Sequence, residues 1–152
     1  MDISKLPFTT YLYLVDLKEL ASGINPWQHW YYQSKKKPLL HYLQSIIASE
    51  KKINVYDIGA GSGFFIFIII QNFPSQIEHV WLIDTGYTEQ EIAASKNTRL
   101  QKVHTLPPIT NNALYILMDV LEHLKEDAAM LHAIHSHSKG NGKFFITVPA
   151  FQ

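Results

Sequence analysis

Val55-Tyr56-Asp57-Ile58-Gly59-Ala60-Gly61-Ser62-Gly63 runs from apolar residues into an acid and then into a turn with glycine at every other position. The stretch Ile53 to Ile58 is short, apolar and bounded by turn residues, which is how a strand buried on both faces reads. Glycines in the turn permit positive φ and let a ligand approach the backbone with no β-carbon in the way. The apolar run after Gly63 continues to Phe73 and is closed by Pro74. Its isoleucines favour a strand by local propensity, but its length and its place after a glycine turn predict a buried helix.

Downstream, Val80 to Ile83 predicts a second strand. Thr88 with Glu91 three residues on predicts a capped helix start, and Leu100 to His104 and Ala113 to Met118 predict two further strands. Leu121, Leu124, Ala128, Leu131 and Ile134 recur at helical spacing, predicting a helix from Leu121 to His137. Gly140-Asn141-Gly142 then turns into a fifth strand, Lys143 to Val148. Strands alternating with helices predict an α/β fold, a doubly wound parallel sheet of the Rossmann-like kind, whose ligands sit beyond the carboxyl ends of the strands. Upstream, Trp27 to Tyr31 and Leu39 to Ile47 have helical spacings and are read as two helices meeting at Pro38. Residues 1–50 are read as an amino-terminal helical cap and 51–152 as the core, parts of one compact domain in 152 residues. Trp27, Trp30, Tyr31 and Tyr32 are read as core or lid packing.

Thirteen basic residues balance thirteen acidic ones. A net charge of zero supplies no general attraction to nucleic acid or anionic lipid, and Lys35-Lys36-Lys37 reads as a solvated helix face. The absence of cysteine removes disulfides, thiolate metal sites and thiol nucleophiles. Phe64 to Ile70 is far shorter than the ~20 residues needed to cross a bilayer, and Met1 to Leu14 lacks the features of a secretion signal. The expectation is a cytoplasmic protein with neither membrane nor nucleic acid as partner.

A dinucleotide-binding turn has the form Gly-x-Gly-x-x-Gly, with a small last residue for close helix packing and a pyrophosphate on the helix end. Here that last place holds Phe64. Asp57 would repel a pyrophosphate and suits a cation. Asp84, closing Trp81-Leu82-Ile83-Asp84, is placed to accept hydrogen bonds from a ribose diol, although an acid at a strand end also caps the next turn.

With Asp57 ahead of Gly59, Gly61 and Gly63, the chain resembles the class I S-adenosylmethionine-dependent methyltransferases. Two more stretches carry the likeness. Met118-Asp119-Val120-Leu121-Glu122-His123 is similar to the Asp-Val-Leu-Glu-His segment after the fourth strand of many small-molecule members, and Gly142 to Gln152 to the family's glycine turn, fifth strand and Val-Pro-Ala ending.

The resemblance implies S-adenosyl-L-methionine as cofactor, held by Asp57, Gly59, Ala60, Gly61, Gly63, Asp84, Thr85, Asp119 and Val120, and a small molecule as methyl acceptor. If that acceptor needs deprotonation, His123 is the first candidate, because an imidazole titrates near neutrality. Some relatives hold a divalent metal with similar acid and histidine groups. The plainer reading of Asp119, Glu122 and His123 is packing and capping beside the cofactor, and no metal is expected. Where many relatives carry an acid for the adenine amine, this chain reads Val103-His104-Thr105. It also stops just after the fifth strand, where the family continues. That supports an alternative, a non-catalytic module truncated after the fifth strand, and an expected homodimer through the exposed edge of that strand.

Overall fold

The structure is a computed structural model that describes residues 23, 25–48, 52–108 and 110–149. The first part of the expected helical cap, 1–22, and the last three residues lie outside the described ones. Helix α1 spans Trp30–Ile47, and the core elements follow as β1 Ile53–Ile58, α2 Phe64–Asn72, β2 Ile77–Ile83, α3 Glu89–Ser95, β3 Leu100–Val103, β4 Ala113–Met118, α4 Asp127–His137 and β5 Lys143–Thr147. The strands form one sheet in the order β3-β2-β1-β4-β5, and every neighbouring pair is parallel. This is the expected α/β architecture. No helix of the described residues is long and apolar enough to cross a membrane.

Alternate residues of each central strand serve two cores. Val55, Leu82, Leu114 and Ile116 pack with Leu39, Leu43 and Ile46 of α1 and with Phe64, Phe65, Ile66, Ile68 and Ile69 of α2. Tyr56, Trp81, Tyr115 and Leu117 pack with Ile134 of α4 on the opposite face. Helix α2 is buried around most of its girth, from Phe64 to Ile69. Burial of that kind, worth about 1.5–3 kcal/mol for each large apolar side chain, outweighs the strand propensity of its isoleucines. The second core contains a ladder of rings running across four strands. Trp81 stacks on Tyr56, Tyr56 on Tyr115 and Tyr115 on Phe144, with centroids 4.6, 4.9 and 5.3 Å apart. Each rung is a register pair of the sheet.

Three expectations need correction. Pro38 does not separate two helices but lies inside α1. It is on the exposed side, while Leu39, Leu43 and Ile46 keep one buried stripe running past it, and a lost hydrogen bond on the solvent side is tolerated. Strand β2 begins earlier than read, at Ile77, because the polar Glu78 and His79 sit where the register with β1 shifts. The helix expected from Leu121 begins only at Asp127. One tight turn, Leu121–His123, precedes it, and Leu124 is extended.

Candidate functional site

The order of the sheet reverses direction between β1 and β4, so their carboxyl ends splay their loops apart and open a crevice there. The loop after β1 forms one wall. Gly59 and Gly61 have φ of 71° and 53°, a region that costs an ordinary L-residue ~1–2 kcal/mol. A β-carbon on Gly59 would come within 2.6 Å of Val120, which follows β4, whereas one on Gly61 would meet nothing within 4 Å. Gly59 is therefore required by packing, and Gly61 presents bare backbone to open space. The Gly59 N–H donates to Ile83 O at 2.8 Å, and that of Gly63 to Ala60 O at 2.8 Å.

Asp84 is engaged by the backbone on both oxygens. Its Oδ2 accepts from the Gly61 N–H at 2.9 Å and its Oδ1 from the Gly86 N–H at 2.8 Å, so it pins the glycine loop and caps its own turn. A carboxylate has about four acceptor sites, which leaves Asp84 capacity toward a ligand. Thr85, in the same turn, is exposed.

Tyr87 was not singled out by the sequence, yet it holds the other side of the loop. Its buried hydroxyl donates to Gly61 O at 2.8 Å. The Lys102 ammonium lies 4.6 Å from the centre of the Tyr87 ring and 2.8 Å from Glu91 Oε1. Glu91 also accepts from Thr88, completing the expected capping box. The hydrogen bond from Lys102, helped by those from Thr88, pulls the Glu91 carboxyl down to about 2. This acid therefore stabilises the fold above the ordinary carboxylate range, and the contribution is lost as pH falls toward 2. Tyr87→Phe leaves the Gly61 carbonyl without its donor. A lost hydrogen bond of this kind costs about 0.5–1.5 kcal/mol, and a urea titration is expected to show a loss in that range. No change in midpoint would remove Tyr87 as a loop support.

Asp57 is 3% exposed at the end of β1. Among the described residues no group donates a hydrogen bond to its carboxyl. Burial, with the nearby Asp84 charge adding to it, pushes the group up to about 8. A carboxyl perturbed by burial beside a cleft is a candidate functional group.

Asp57 lines a half-open cavity of about 120 Å³ together with Gly59, Ala60, Gly61 and Ser62 of the loop, Phe64 and Phe65 of α2, Met118, and Tyr31 and Tyr32 of α1. Tyr31 and Tyr32, expected as packing residues, thus wall the cavity as well. An acid within a ring-lined space favours a cation.

Asp119 closes β4 with a φ of 53°. Thr147 holds it there: the Asp119 N–H donates to Thr147 O at 3.1 Å, and the Thr147 hydroxyl donates to Asp119 Oδ1 at 2.8 Å. Asp119 Oδ2 is paired with the Lys35 ammonium, and the Tyr31 hydroxyl donates to the same carboxylate. Burial works against its charge, but the hydrogen bonds from Lys35, Tyr31 and Thr147 outweigh it and hold the group below the usual carboxylate range. Lys35 is therefore not part of a solvated face as the sequence suggested, because the turn of α1 directs it inward while Lys37 stays exposed. Val120 packs against the glycine loop.

His123 and Glu122 are exposed on the turn after β4, and neither lines the cavity. Among the described residues no three His, Cys, Asp or Glu side chains are grouped to hold a metal. His104 bonds through Nε2 to Tyr87 O at 2.8 Å. Neither a protein-family model, a curated protein nor a solved structure matches the chain.

Proposed function

We propose that the crevice binds S-adenosyl-L-methionine and that the chain passes its methyl group to a small-molecule acceptor. The observation that carries this reading is Asp57, a buried carboxyl without a protein donor among the described residues, facing an aromatic-walled cavity beside bare backbone. A dinucleotide's pyrophosphate would meet the Asp84 carboxylate and oppose ionisation of Asp57, whereas a sulfonium is attracted by ring faces and favours the ionised form of Asp57. Ligand pockets measure about 300–1,000 Å³, so a cavity of about 120 Å³ suits only the charged end of such a molecule. Asp84, with acceptor capacity left over, suits the ribose.

The bound cofactor supplies an already activated methyl group. What falls to the chain is alignment and exclusion of water. Tyr31, Tyr32, Phe64 and Phe65 keep the charged centre dry, and the loop pinned by Asp84 and Tyr87 fixes its place. Orientation alone can contribute effective molarities of about 10⁵ M or more, so no acid or base is obligatory.

Calorimetric titrations with S-adenosylmethionine and S-adenosylhomocysteine, run from pH 6 to 9, test the reading. Both are expected to bind, and a nicotinamide dinucleotide is not. Only the first carries the sulfonium. Its advantage over the thioether should rise with pH and level off near 8, where Asp57 ionises, by up to about tenfold per unit. Binding of neither compound would sink the proposal.

A further inference from the structure

Beside the cavity lies a second place built for a positive charge, and the chain fills it with its own lysine. The Lys35 ammonium is paired with Asp119 and lies 4.0 Å from the centre of the Tyr31 ring. Carboxylate and ring face together are what a desolvated ammonium group requires. The two halves of this subsite are anchored differently. Asp119 is held through Oδ1 by Thr147 of the neighbouring strand, an anchor that does not involve Lys35. Lys35, in contrast, is carried by the amino-terminal half of α1, the same two turns that hold Tyr31 and Tyr32 over the cavity.

We propose that Asp119 and Tyr31 form the acceptor subsite, that the acceptor carries an ammonium group, and that Lys35 holds that group's place until the acceptor arrives. This deepens the function proposed above and rests on it for the word acceptor. The subsite recognises the cationic handle and does not activate it. A protonated or quaternary nitrogen has no lone pair with which to take a methyl group, and Asp119, which its hydrogen bonds keep ionised, is a poor base. The reacting atom is therefore a different atom of the same molecule. Phosphorylated or carboxylate acceptors without a cationic group are disfavoured by Asp119.

The test uses choline and its uncharged isostere 3,3-dimethylbutan-1-ol, titrated into the full chain by calorimetry, with S-adenosylhomocysteine titrated in parallel. The wild type is expected to bind choline weakly and the isostere not at all. Lys35→Met removes the internal competitor and should tighten choline at least tenfold. Lys35→Gln, which keeps a neutral hydrogen-bond donor to Asp119, guards against a variant that fails to fold and should tighten it several-fold. Adding Asp119→Asn to either variant should abolish the preference for choline over the isostere.

Equal binding of choline and isostere to a folded Lys35 variant, or no gain over the wild type, overturns the inference. If S-adenosylhomocysteine binds while cation selectivity is absent, only this inference falls. If cation selectivity is present while S-adenosylhomocysteine does not bind, the methyl-transfer reading falls and the ammonium subsite stands as a binding site. If neither is seen, both fall.

Discussion

Asp57→Asn is expected to stabilise the chain at neutral pH and to cost it the sulfonium. In the folded chain the Asp57 carboxyl holds its proton to about 8, against an ordinary value of 3.8. Its folded value is thus raised, so the unfolded chain gives up this proton first. The penalty is absent below the ordinary value, grows as pH rises through the interval at about 1.4 kcal/mol per unit, and is constant above 8. At pH 7 that amounts to an upper bound on the order of 4 kcal/mol. The asparagine amide is itself buried, and an unsatisfied amide costs about 1–3 kcal/mol. The net gain expected from urea titrations is therefore about 1–3 kcal/mol at pH 7, vanishing or reversing at pH 4. The same substitution should erase the advantage of S-adenosylmethionine over its thioether. A stability difference that does not vary with pH would show that Asp57 is not strained by its surroundings. Stability given up at one residue is a common accompaniment of a binding site.

The other large effect falls on Gly61. Valine there is expected to lower affinity for S-adenosylhomocysteine at least 100-fold while leaving a folded chain, because its side chain enters space that no protein atom fills. The left-handed backbone adds a strain of ~1–2 kcal/mol, which should appear as a modest fall in melting temperature. Gly59→Ala is the contrasting case. Its β-carbon meets Val120 at 2.6 Å, so the damage should go first to stability, with affinity falling only as the fold does. Undiminished binding by a folded Gly61→Val protein would mean that the ligand does not lie on this loop. Asp84→Ala is a less selective probe than the sequence implied, because it also releases the Gly61 and Gly86 amides.

Much of the fold could be read from the chain because its signals are local. The five strands come in the expected order, Ala113–Met118 has the expected bounds, and Thr88 with Glu91 closes the expected capping box. Where the structure departs from these local signals, tertiary packing overrides local preference. Pro38 is tolerated within α1 because the stripe Leu39, Leu43 and Ile46 is already committed to the sheet. The helix after β4 is delayed because the left-handed turn at Asp119 and the seating of Val120 on Gly59 send the chain off sharply.

The site divides along similar lines. Its glycines and acids were legible, since they are contiguous with strand ends. Tyr31, Lys35 and Tyr87 were not, because each reaches the crevice across a long stretch of sequence, and only the folded sheet brings Lys35 to Asp119 or Tyr87 to Gly61. One cue was available for Tyr87, an aromatic three residues beyond a strand-end acid in a glycine-containing turn.

The ring ladder from Trp81 through Tyr56 and Tyr115 to Phe144 has a spectroscopic consequence. Chromophores stacked within about 5 Å couple their electronic transitions, so the near-ultraviolet dichroism of this chain should carry an excitonic band that belongs to the assembled ladder and to no ring alone. Slippage of any one strand would remove its own rungs and change the band, giving an optical gauge of alignment that works without a label.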